Sequence, residues 1–105
     1  MVEFSKVSGL SVNDLVCNVV VAVAFNWGHE LLVGDSSGSV LLRTSCPLDY
    51  TPQTVLVLKN ASIVCHFGKL KIGIGPETVL KTAADSFKIR PNLSNNISQV
   101  DYTLD

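Results

Sequence analysis

The chain has 105 residues, of which 47% are apolar, with a net charge of −1 and a pI near 6.0. That length fits one domain able to bury a core without disulfide or metal staples. Charged residues make up only 16%, and so small a net charge excludes a tight polyanion binder that works through overall charge alone.

Taken in chain order, Met1 to Leu10 has no apolar h-region and no cleavage pattern, so no secretory signal is expected. Strand one is expected from Leu15 to Trp27, almost continuously apolar through Val16, Cys17 and Val19 to Phe25. A strand of that kind is buried along both faces, as in a curved strand shared by two halves of a small barrel. The apolar run Val19 to Phe25 is far too short to span a bilayer as a helix. Asn26-Trp27-Gly28-His29 makes a tight turn. Strand two follows at Glu30 to Gly34, then the hairpin loop Asp35-Ser36-Ser37-Gly38, where Asp35 can bond the backbone two residues on. Strand three, Ser39 to Thr44, turns Val40, Leu42 and Thr44 one way and Leu41, Arg43 and Ser45 the other.

Cys46 to Gln53 carries Pro47 and Pro52 without an apolar period and reads as a loop, or one short turn of helix. Strand four is expected from Thr54 to His66, bent near Asn60-Ala61, and Phe67-Gly68 turns the chain. Strand five, Lys69 to Ile74, alternates cleanly: Leu70, Ile72 and Ile74 inward, Lys69, Lys71 and Gly73 outward. Val79 to Ala84 reads as a short helix, and Asp85 to Asp105 as an extended tail that staples onto the barrel. Five strands with tight turns between the first three and a gap after the third are the order of the OB barrel, a five-stranded Greek-key architecture. The expected organisation is one all-β domain over residues 1–105, with its core at about 4–80 and its tail at about 85–105.

No catalytic constellation emerges. The carboxylates are scattered, His29 and His66 are far apart, and no His/Cys spacing matches a zinc site. Cys65 and His66 are adjacent, so strand alternation aims them to opposite faces. Cys17, Cys46 and Cys65 read as reduced, buried thiols of an intracellular protein, nuclear or cytoplasmic. The expectation is a protein that is not an enzyme and holds no metal or cofactor.

Further residues carry a family pattern. Phe4-Ser-Lys-Val-Ser-Gly-Leu10 resembles the lead-in of small OB-fold proteins, and Leu32-Val-Gly-Asp-Ser-Ser-Gly-Ser-Val40 resembles their hairpin between strands two and three. Val55 to Ile63 with Phe67-Gly-Lys-Leu70, then Pro91-Asn-Leu-Ser94 and Asp101-Tyr102, resemble their fourth strand and tail. The relatives are the simple single-stranded DNA-binding proteins, including the B subunit of the sensor-of-single-strand complex, and the archaeal replication-protein-A-like domains. The resemblance implies a groove that stacks bases on exposed aromatics and holds phosphates with Lys or Arg. The family's aromatic positions fall on Ser45, His66 and Gly73, of which only His66 keeps a ring.

Candidate site residues follow from both lines. Six of the eight basic residues (Lys59, Lys69, Lys71, Lys81, Lys88, Arg90) lie between positions 59 and 90, where Glu77 and Asp85 are the only acids. Lys69 and Lys71, with Arg43, take outward positions suited to phosphates. Trp27, with His29 beside it, lies at the first turn; Tyr50 lies in the proline-flanked loop; His66 and Phe67 flank the fourth turn. The expected function is modest binding of single-stranded DNA or RNA through Trp27, Arg43, Tyr50, His66, Phe67, Lys69 and Lys71, without a membrane. The alternative is a protein-interaction subunit of a larger complex, which the low charge and missing aromatics favour.

Overall fold

Alternating β-branched and aliphatic residues produce strands that bury one face, and six strands form. The computed structural model describes residues 4–11, 14–66, 68–83 and 88–99, with only the backbone of His66 and Gln99. The strands are β1 (Val16–Asn26), β2 (Glu30–Asp35), β3 (Gly38–Arg43), β4 (Val55–His66), β5 (Lys69–Gly73) and β6 (Val79–Thr82). Two single 3-10 turns, Val7–Gly9 and Ile97–Gln99, complete the described elements. No α-helix occurs among the described residues.

The sheet order is β1-β2-β3-β5-β4, and β1 pairs again with β4 to close the barrel. All of these pairs are antiparallel except β3 with β5. This is the five-stranded Greek-key barrel of OB type expected from the sequence. β6 lies outside it, antiparallel to the first half of β4. The short helix expected at Val79 to Ala84 is therefore a strand over Val79–Thr82, with Ala84 outside the described residues. The reason is an edge: β4 bends at Asn60, its second half pairs with β5, and its first half would leave one row of peptide groups unpaired. Residues 79–82 supply that row with partners.

The bend has a local cause. Opposite Asn18 the partner strand holds one extra residue, and Asn60 takes a φ of 57° there. Asn tolerates this left-handed conformation better than most residues. The Asn18 side-chain oxygen accepts the Asn60 N–H at 2.8 Å, so the bulge leaves no orphan donor there.

The interior is aliphatic. Val19, Val21, Val23, Leu31, Val33, Val40, Leu42, Leu56, Leu58, Leu70 and Ile72 are all essentially inaccessible. Each such side chain contributes about 1.5–3 kcal/mol relative to exposure. The inward positions of β3 and β5 agree with their alternation, whereas β1 does not bury both faces: Val16 and Phe25 are exposed and Val20 half-buried. Val7, Leu10 and Ile97, which flank the barrel strands in sequence, join this core, as does Cys17. Cys46, in the loop after β3, and Cys65, near the end of β4, are exposed rather than buried as expected.

Chain segments from both sides of the barrel sequence gather on the β2–β3 hairpin. The Val7 N–H donates to Asp35 Oδ2 at 3.0 Å and Ser8 N–H to Ser37 Oγ at 3.0 Å. From the tail, Asn92 N–H donates to the Asp35 carbonyl at 2.8 Å, and Asn95 carbonyl accepts Ser39 N–H at 2.9 Å. Buried Ser98 then bridges the seam between β3 and β5: its hydroxyl donates to the Leu70 carbonyl at 2.6 Å and accepts Leu41 N–H at 2.8 Å. The described tail thus staples onto the hairpin end of β3.

Candidate functional site

At the other end of β3 the outer surface is open, and a second irregularity decides which side chains it presents. Val23 pairs with Val33, but Phe25 pairs with Leu32, so Ala24 is an extra residue in β1. Cys17, Val19, Val21 and Val23 point inward; the inserted Ala24 reverses the phase, and Phe25 points outward. Phe25 is 49% exposed and Trp27 62% exposed, and their rings stack with centroids 5.7 Å apart and planes at 19°.

Two rows of outward residues cross the barrel from this pair. One runs Phe25, Leu32, Leu41, Lys71, Val64 through successive strand partners. The other runs from Trp27, whose N–H donates to the Glu30 carbonyl at 2.8 Å, through Glu30, Arg43, Gly73 and Ser62. Glu30, the first residue of β2, stands between Trp27 and Arg43 in the second row. Its Oε2 is 2.8 Å from Lys71 Nζ and 3.8 Å from Arg43 Nε. Two cations around one carboxylate leave the trio with a single net positive charge.

A groove of about 510 Å³ is lined by Trp27, His29, Glu30, Arg43, Thr44 and Ser45. It continues across Arg43, Thr44 and Ser45 into a second hollow of about 410 Å³, bounded by Val64, Cys65, Gly73 and Ile74. One wall is held by the loop after β3, which folds back on the first turn. Asn26 Nδ2 donates to the carbonyls of Leu48 and Tyr50, each at 2.8 Å, and Asn26 Oδ1 accepts Gly28 N–H at 2.7 Å. Gly28 takes a φ of 92°, which the turn requires and glycine supplies without strain. His29 is exposed, with its Nδ1 3.2 Å from the Thr44 carbonyl.

Of the seven residues expected at the site, Trp27, Arg43 and Lys71 come together on this face. Lys69 takes the outward position on β5 before Lys71 and pairs through its backbone with His66. Tyr50 is not on the open face: it is half-buried against the core, in the loop that Asn26 holds. Phe67 and the side chain of His66 lie outside the described residues. Phe25 and Glu30 were not expected. Phe25 reads as core until the bulge is known, and the Phe25-Asn26-Trp27 spacing was its one visible signal. Arg43 faces Glu30 across the β2–β3 hairpin, but Lys71 comes from β5, which chain order does not place beside β2.

The solution structure of hypothetical protein F20O9.120 from Arabidopsis thaliana superposes with a TM-score of 0.81 at 20% identity, over 100% of this chain and 89% of that one. The similarity establishes a shared barrel. No family model and no curated protein matches this sequence.

Proposed function

We propose that the chain is a binding module for single-stranded DNA or RNA of modest affinity, working through the groove along β2 and β3. The observation that carries this reading is the exposed Phe25–Trp27 stack at the mouth of a groove containing Arg43. OB barrels bind oligonucleotides on this face and its flanking loops. Aromatic rings there accept bases without regard to sequence, and cations track the backbone. The stack replaces the platform that Ser45 and Gly73 cannot supply. Partial neutralisation of the two cations by Glu30 fits modest affinity rather than tight binding.

Titration of a fluorescent oligonucleotide at low and moderate salt tests the proposal. Binding at low salt that weakens steeply with added salt supports it; no binding at low salt rejects it. A protein-interaction role is the second reading, favoured by the apolar side chains Phe25, Leu32, Leu41 and Val64, which share one row with Lys71 beside a partly neutralised charge cluster. Pull-down from extract with and without nuclease separates the two.

A further inference from the structure

A carboxylate, that of Glu30, lines the groove beside Trp27 and bears on which bases the groove takes. Glu30 engages both cations through Oε2, and Oε1 makes no hydrogen bond among the described residues. Its side chain is 34% exposed, so a ligand can reach it. It shares the groove wall with Trp27, whose ring is the more exposed half of the stack. Phosphate is drawn to Arg43 and Lys71 and repelled by the free oxygen of the carboxylate, so a bound strand turns its base edges rather than its backbone toward Glu30.

We infer that Glu30 selects bases bearing an exocyclic amino group, with cytosine preferred over thymine or uracil among pyrimidines. Cytosine presents its N4 amino donors where thymine and uracil present the O4 acceptor. An ionised carboxylate accepts hydrogen bonds only, so it gains a charge-assisted bond from the first and opposes the second. Trp27 supplies stacking to either base; the difference between them comes from Glu30. This inference rests on the nucleic-acid reading above.

The test is fluorescence anisotropy of labelled oligo-dC and oligo-dT of equal length at low salt and near-neutral pH. The wild-type chain binds oligo-dC roughly tenfold more tightly, and in E30Q, whose amide both donates and accepts, the two affinities converge. Thermal melting confirms that E30Q is folded. Oligonucleotides of N4,N4-dimethyl-deoxycytidine, which lack the amino donors, give a check without any variant: their affinity falls to that of oligo-dT. Equal affinities of the wild type for dC and dT overturn the inference while leaving the binding proposal standing. So does a preference that survives in folded E30Q or with the dimethylated base. Failure to bind any oligonucleotide at low salt overturns both.

Discussion

Lys71 on β5 and Glu30 on β2 meet at 2.8 Å across the outer surface of β3, although neither strand pairs with the other. The Lys71 side chain is only 13% exposed. Removing its partner leaves a largely covered ammonium without a counter-charge, so E30A is expected to lose about 1–3 kcal/mol of stability. R43A, which removes the longer and more exposed contact, is expected to cost less than about 1 kcal/mol. Urea denaturation of the two variants side by side checks the order.

The stacked rings make the binding proposal specific. W27A is expected to weaken oligonucleotide binding by about 1–3 kcal/mol, the worth of one stacked base. Because Trp27 is 62% exposed, the melting temperature should hardly move. Anisotropy and thermal melting on the same sample separate a lost platform from a lost fold.

Arg43 affects salt dependence more than base stacking. If it contacts one phosphate, R43A lowers the magnitude of the slope of log K against log salt by about 0.7 for a single strand. Binding isotherms at four salt concentrations measure it, and an unchanged slope would remove Arg43 from the phosphate path.

Cys17 points into the barrel, and burial, aided by the nearby Asp14 carboxylate, lifts its thiol from 9.0 to about 11. The folded state therefore favours the protonated thiol more than the unfolded chain does. Its contribution is fully present below pH 9 and disappears as pH rises to about 11. The loss is on the order of 2 kcal/mol. The difference in stability between wild type and C17A should vary with pH across that window and be flat below it, as followed by denaturation at stepped pH.

Ser98 substitutes for a strand residue where β3 and β5 separate. S98A leaves the Leu41 N–H and the Leu70 carbonyl without their shared partner, at an expected cost of about 1–3 kcal/mol. Hydrogen exchange should rise first at Leu41, before the antiparallel pairs of β1 and β2.

Local alternation made much of the barrel legible. The sets Val40/Leu42 and Leu70/Ile72, each placed on one face by the two-residue period of strands, are the buried ones. Gly28 and Gly68, the two turn glycines at positive φ, and the bend at Asn60 were visible as residue types. What alternation cannot express is a change of phase, so Phe25 reads as core although Ala24 turns it outward. Nor can it express non-local pairing. Val79–Thr82 becomes a strand because β4 has an unfilled edge there, and Glu30 meets Lys71 because β5 lies parallel to β3. Tyr50 could be seen to sit in a loop, but not that Asn26 draws that loop inward.

Phe25, turned outward by the inserted Ala24, still sits within a hydrogen-bonded ladder rather than on a loop. A ring mounted in this way loses little conformational freedom when something docks on it, so less of the docking energy goes to immobilising the receptor. The same strand carries the oil-facing valines and the water-facing platform. Stiffness generated by the interior is thereby transmitted, through a few peptide units, to the surface that would do the recognising.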